Sequence, residues 1–175
     1  MSDAPTGWED IFEPGEVLLW QGRPDPAIVW QKRHILPVML AISVAILGVI
    51  WIFFTPLGNG YTVVMGVVLL LLAAFLGIAP PVMSAMVRKA TWYSLSNRRA
   101  FIAMHRPQVG RKLATYVIEP DFEIKYDGND PATILFAIET RQPGNASYLA
   151  KISFDRISDG QHVYGLMRAI QEGKA

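Results

Sequence analysis

The chain has 175 residues, with 16 Lys and Arg against 15 Asp and Glu, a formal net charge of +1, 51% apolar residues and no cysteine. The missing cysteine excludes a disulfide framework and a thiolate metal site, and it agrees with a reducing compartment. The near balance of charge hides an asymmetry: residues 1–34 carry three Lys or Arg against six Asp or Glu, whereas residues 88–175 carry thirteen against nine.

The segment 1–34 opens the chain. Phe12-Glu13-Pro14-Gly15 is turn-like, Val17 to Trp20 is a short apolar run, and Gly22-Arg23-Pro24-Asp25-Pro26 forbids a continuous helix. Residues 16–20 can add as an edge strand to a later domain. Strand addition is preferred to a loose interfacial anchor, because a free apolar run in water would be an exposed patch.

Two apolar stretches follow, at 35–55 and 61–80, inside a region 35–87. The only polar side chains from Ile35 to Thr55 are Ser43 and Thr55, and from Tyr61 to Ala79 only Tyr61 and Thr62. A hydrocarbon core of roughly 30 Å needs about 20 mostly apolar helical residues, because each residue rises 1.5 Å and every backbone polar group must be bonded internally. Both stretches meet that length, and neither has the polar stripe of a helix packed in a soluble bundle. The connector Pro56-Leu57-Gly58-Asn59-Gly60 suits a tight turn, so the motif reads as a transmembrane helical hairpin. A cleaved leader fits poorly, since 34 largely polar residues precede the first apolar run.

Lys32 and Arg33 abut the first span, Arg88 and Lys89 abut the second, Arg98 and Arg99 lie close behind, and the connector is uncharged. The positive-inside rule therefore predicts a multi-pass protein of the cell inner membrane with both termini cytoplasmic. Trp30, Trp51, Tyr61 and Trp92 fall near the expected water boundaries, where amphipathic rings anchor a span. Ala41 with Ala45 and Ala73 with Gly77 are small residues four apart, assigned to packing within the hairpin, and the oligomeric state stays open. Pro80-Pro81 is expected to end or kink the second helix.

Residues 88–175 read as a small β-domain. Trp92 to Leu95 and Ala100 to Met104 flank a turn at Ser96-Asn97-Arg98, in which Asn97 tolerates left-handed backbone and bonds its own neighbours. Leu113 to Ile118 is a third strand. Phe122, Ile124 and Tyr126 alternate with Glu123 and Lys125, the pattern of a half-buried strand. Two more strands are expected to point Ile134, Phe136 and Ile138, and then Tyr148, Ala150, Ile152 and Phe154, inward, around a turn at Pro143-Gly144-Asn145. Six short strands predict an antiparallel sandwich or open barrel. Ser158 or Asp159 can cap a final helix, about 159–172, whose Val163, Leu166, Met167 and Ile170 form one apolar face, with Gly173 at its end. That face is expected to plug an open end of the sandwich.

The stretch Trp92-Tyr93-Ser94-Leu95-Ser96-Asn97-Arg98-Arg99-Ala100-Phe101-Ile102 resembles the signature of the bacterial pleckstrin-homology-like membrane proteins, in which an aromatic strand, a Ser/Thr-Asn-Arg-Arg turn and an aliphatic strand follow a two-helix hairpin. Phe12-Glu13-Pro14-Gly15-Glu16-Val17-Leu18-Leu19-Trp20-Gln21-Gly22-Arg23-Pro24 is similar to the Pro-Gly-Glu segment before the hairpin in that group. Ser96 stands where Thr is commoner and Ala100 where Val often stands. The resemblance implies a membrane α+β protein: the hairpin plus a cytoplasmic pleckstrin-homology-type β-sandwich capped by a C-terminal helix. It implies no settled activity, and a fold alone does not give one.

Arg98 and Arg99, with Arg88 and Lys89, are candidates to contact anionic headgroups or a partner, because Arg offers bidentate hydrogen bonds to phosphate. The alternative is that one Arg pairs with an internal carboxylate such as Asp155 or Glu139 and holds the turn formed by Ser96 and Asn97. His34, His105 and His162 have no partner at metal-ligand spacing, and no phosphate-binding loop or nucleophile elbow is present. The expectation is a non-enzymatic binding or scaffolding module without a cofactor. Its partners are the lipid bilayer, anionic headgroups or another membrane protein, and not nucleic acid. A small membrane enzyme or transporter accessory subunit is the alternative, weakened by spans without an ionisable residue.

Overall fold

The computed structural model describes residues 11–54, 60–106, 110–142 and 147–174. The helix connector and the Pro143-Gly144-Asn145 turn lie outside them, apart from Gly60. The chain divides into two compact units, and the division is not sequential. One unit is Pro26–Met86; the other joins the chain up to Asp25 to everything from Val87 onward.

In the first of these, a three-residue 3-10 turn at Lys32–His34 leads into α1, Ile35–Phe54, and α2 follows at Gly60–Lys89. Both helices are long and apolar enough to cross a membrane. α2 runs nine residues past the expected limit, straight through Pro80 and Pro81 to Lys89. Two adjacent prolines remove the amide donors to the carbonyls of Leu76 and Gly77 but do not end the helix. The helices meet along small residues, where a Cβ added to Gly48 or to Gly66 would lie 3.2 Å from the other's carbonyl oxygen. Ala41 approaches Gly77 on the same seam. The α1 seam thus includes Ala41 and Gly48, seven apart, and Ala45 between them is half-buried.

The other unit is two antiparallel sheets and a helix. The four-stranded sheet has the order β1 (Leu18–Gly22), β2 (Thr91–Ser96), β3 (Arg99–Arg106), β4 (Gly110–Val117). The three-stranded sheet is β5 (Lys125–Tyr126), β6 (Ala132–Arg141), β7 (Tyr148–Ile157). β1 lies two residues later than the 16–20 reading. It pairs with β2, Trp20 opposite Leu95 and Gly22 opposite Tyr93. The helical pair is therefore an insertion between two neighbouring strands of one sheet.

The alternation at Phe122, Ile124 and Tyr126 gives a strand of only two residues, because the backbone before it is taken elsewhere. The Phe122 amide bonds the Glu119 carbonyl, and the carbonyls of Glu119 and Phe122 both accept from the Gln171 side chain at 2.7 and 2.8 Å. The inward side of that alternation holds nonetheless: Ile124 is buried, and Phe122 and Tyr126 pack against the core.

The core lies between the sheets, where Phe154 stacks on Tyr93 at 4.6 Å and meets Phe136 edge-on at 5.0 Å. Such ring geometries add to the area term. α3, Gly160–Gln171, closes the sandwich with Val163 and Met167 fully buried and Leu166 and Ile170 packed against the core. Its start approaches β6 so closely that a Cβ at Gly160 would sit 2.3 Å from that of Ala132. Asp159 is the N-cap residue but makes no capping bond; its carboxylate accepts from the Trp20 indole at 3.4 Å. Gly173, at φ +67°, ends the helix in the left-handed conformation that glycine adopts at no steric cost.

Candidate functional site

The two motifs noticed separately in the sequence are bonded to each other. The Pro14-Gly15-Glu16 turn docks on the β2–β3 turn, some 80 residues away. Glu16, whose side chain is 0% exposed, accepts from the Ser96 hydroxyl and from two nitrogens of Arg99. Arg99 also pairs with Glu13 at 3.1 Å and lies 5.4 Å from the centre of the Phe101 ring. Asn97 accepts from the Val17 amide at 3.1 Å and donates to the Gly15 carbonyl at 3.3 Å. Burial alone would raise the Glu16 carboxyl, but bonds from Arg99, Ser96 and the Glu13 amide outweigh it and hold the group down at about 2.

The turn itself is built by Ser96. Its hydroxyl oxygen accepts from the amides of Arg98 and Arg99 at 3.2 and 2.9 Å, which leaves a two-residue connection. Asn97 is not left-handed: Arg156 is the non-glycine residue with positive φ among the described residues. The Asn97 side chain bonds the distant Gly15 and Val17 rather than its own neighbours, a correction to the local reading. The carboxylates that take Arg99 are Glu16 and Glu13, not Asp155 or Glu139. Sequence separation concealed both.

A second clasp holds the other end of β1. Asp25 receives the Arg156 guanidinium on its carboxylate, donates its amide to the Arg156 carbonyl at 2.7 Å, and offers its own carbonyl to Arg88 Nε at 3.0 Å. Arg156 sits in a bulge where Asp155 and Arg156 together face Thr133, at φ +54°. A non-glycine residue there costs roughly 1–2 kcal/mol, offset by bonds to Asp25. Within the bulge, the Asp155 amide donates to the Tyr93 phenol at 3.2 Å. Burial pushes that phenol up to about 12, against the lowering effect of the amide.

These contacts redistribute the expected headgroup ligands. Arg88 is 4% exposed and bonded to Asp25, so it is a structural cation inside the unit. Arg99 is held by two glutamates. Lys89 and Arg98 are exposed, Arg98 3.8 Å from Glu13. β2 starts at Thr91, just after α2, and Ser96 lies roughly 17 Å further on at ~3.3 Å per residue. Arg98 and Arg99 thus sit at the end of the strand remote from Lys89, although they follow it closely in sequence. The β3–β4 end is the one near Lys89: the His105 amide bonds the Ala90 carbonyl at 2.9 Å, and His105 and Lys112 are exposed there.

Of the expected aromatic anchors, Trp30, Trp51 and Tyr61 are exposed on the helical unit. Trp92 is half-buried beneath the Arg23 guanidinium, 4.4 Å from its ring centre. His34 is buried at the foot of the helices. The Gln31 amide donates to its Nδ1 at 3.2 Å, so Nε2 carries the proton and donates to the Ser84 hydroxyl at 3.2 Å, which passes its own to the Pro80 carbonyl. No group of three or more His, Cys, Asp or Glu that could hold a metal ion occurs among the described residues. Compared with family models, with characterised proteins and with solved structures, the chain matches none of them.

Proposed function

We propose that this chain is a non-enzymatic integral protein of the bacterial inner membrane, whose helical pair spans the bilayer and whose two-sheet unit is a pleckstrin-homology-like binding or scaffolding domain on the cytoplasmic side. The observation that carries the reading is the insertion of α1 and α2 between β1 and β2. A hairpin in the bilayer then tethers the domain through two connections rather than one, and limits its rotation. Four plus three antiparallel strands closed by a C-terminal helix support the pleckstrin-homology-like assignment. The absence of any charged side chain from Ile35 to Phe54 and from Gly60 to Val87 supports the bilayer assignment.

With Arg88 and Arg99 occupied by internal partners, recognition of another membrane protein by the sheet unit is favoured over an arginine clamp on lipid. Ile138 and Leu149, exposed on one face of β6 and β7, offer such a surface. The register shift between Leu135 and Ala137 turns Ile138 outward rather than inward, and Tyr148, also expected inward, lies at the exposed start of β7.

The absence of cysteine makes the test clean. Asn59→Cys and Lys174→Cys variants, labelled with an impermeant maleimide on intact spheroplasts, should react at 59 and stay silent at 174 until lysis. Labelling at both positions, or release of the protein by alkaline carbonate, overturns the topology.

A further inference from the structure

An apolar cleft of about 460 Å³ opens along the helical unit between the start of α1 and the second half of α2. Among its apolar lining residues Pro37, Leu76, Ala79 and Pro80 are half-buried and form the floor, and the exposed Leu36, Phe75 and Met83 form the walls. One turn before Leu36 stand Lys32 and Arg33, both exposed and neither in an ion pair among the described residues. The next residue, His34, turns inward to Ser84, so the two cations are the outward-facing part of that turn.

Within their own unit they have no counter-charge. From Pro26 to Ile118 the sequence has no Asp or Glu, while it has nine Lys or Arg. Arg88 and Arg99 draw their partners from the segment before Pro26. Residues 26–86 supply no carboxylate for Lys32 and Arg33 at all.

We propose that the hairpin holds one anionic phospholipid, its acyl chain in this cleft and its phosphate on Lys32 and Arg33. The inference rests on the reading of α1 and α2 as membrane-spanning. An acyl chain fits a cleft of this volume with a wholly apolar lining, because the prolines and Ala79 of the floor leave space that neighbouring side chains do not fill. The charge end gives selectivity. Arg offers a planar fork to phosphate oxygens and Lys a compact ammonium. A zwitterionic headgroup brings its own cation and neutralises its phosphate, whereas an anionic one leaves a net charge for two uncompensated side chains. Exposed Trp30, two residues before Lys32, is suited to the same headgroup depth.

The full-length protein is placed in nanodiscs of equimolar phosphatidylcholine and phosphatidylglycerol, released into mild detergent and weighed intact by native mass spectrometry. The expected spectrum shows one retained phospholipid per chain, with phosphatidylglycerol enriched several-fold over the disc. Lys32→Gln with Arg33→Gln should return that ratio to the disc value. Ala79→Phe, which fills the floor, and Met83→Trp, which narrows the channel from an exposed wall, should each remove bound lipid of both kinds, whereas Ile46→Phe, on α1 outside the cleft, should not. A parent ratio equal to the disc means annular lipid only and overturns the site, as does retention undiminished in both cleft variants. Failure of the parent to enter discs overturns the membrane reading and this one with it, so the two failures are told apart.

Discussion

The two units sort their side chains by opposite rules of size. In the sheet unit the largest apolar residues are innermost, with Phe101, Phe136 and Phe154 at 0–1% exposure. In the helical unit they are outermost, with Phe54 at 79% and Tyr61 at 85%, and the buried apolar or glycine positions are Ala41, Gly48, Gly66, Ala73, Pro81 and Ala85. Water drives large apolar groups together because each buried Å² gains about 25 cal/mol. Where the surroundings are as apolar as the side chains that gain vanishes, and close backbone approach between small residues takes over. Within one chain of uniform chemistry, the inverted size rule of residues 26–86 is the strongest physical argument for a hydrocarbon environment.

The largest effect comes from separating the units. Asp25 and Arg88 are hydrogen-bonded, so the two points where the chain leaves and re-enters the sheet unit lie together. Residues 11–25 joined to 87–175 by a short Gly-Ser linker should fold in water with a single cooperative urea transition. Residues 87–175 alone lack β1, Glu16 and the Trp20 ring packed against Phe154, and should give no dispersed amide spectrum. A well-dispersed spectrum from 87–175 alone would mean that the domain is the sequential one expected from sequence.

Next in size is Glu16→Ala in the joined unit. It leaves Arg99 and Ser96 facing each other across a vacated site, and should cost about 3 kcal/mol in urea unfolding, the lower end for breaking a buried pair. The same group sets an acid limit. A carboxyl held at about 2 when folded and 4.5 when free favours the native state fully above the free value, and that contribution disappears as pH falls from about 4.5 towards 2. The span amounts to about 3 kcal/mol. The acid-induced loss should therefore be much shallower in Glu16→Ala; identical profiles for the two proteins would locate the acid sensitivity elsewhere.

What could be seen from sequence was what is local. The two helices and α3 announced themselves by run length and by the spacing of Val163, Leu166, Met167 and Ile170, since each element carries its own periodic signal. The strands were visible to within a few residues. The site was not, because its bonds join Glu16 to Arg99 and Asp25 to Arg156, separated by 83 and 131 positions. Nothing in residue order says that Arg88, beside an apolar span, will turn inward to Asp25. One signal did point the right way: a lone Pro-Gly-Glu turn and a Ser-Asn-Arg-Arg turn each hold groups that need partners, and the carboxylate of one suits the guanidinium of the other. Gly48 and Gly66 were passed over because contact between them depends on how α1 and α2 cross, which spacing along either helix does not give.

That crossing supplies the third test. A Cβ on Gly66 would lie 2.1 Å from Ile52 Cγ1 and 3.2 Å from the Gly48 carbonyl. Gly66→Val should weaken the helical pair by about 1–2 kcal/mol, read as earlier unfolding of the full-length protein in SDS titration. The urea midpoint of the joined sheet unit, which lacks residue 66, is its reference and bears only on the other unit. No shift in SDS would mean that the seam is not where the helices hold each other.

The smallest expected effect is the most discriminating, because it separates adjacent arginines. Arg98 and Glu13 are 55% and 57% exposed and 3.8 Å apart, a separation at which water and salt screen most of the attraction. Arg98→Ala in the joined unit should move stability by no more than about 0.5 kcal/mol. Arg99→Ala removes bonds to a carboxylate with no access to water, and should cost several times as much because Glu16 is left charged and buried. The turn amides are held by Ser96 in either case, so both variants keep the same loop, and the contrast isolates the carboxylate partner. Equal losses from the two substitutions would place the fastening of the β2–β3 turn in general charge rather than in the Glu16 contact.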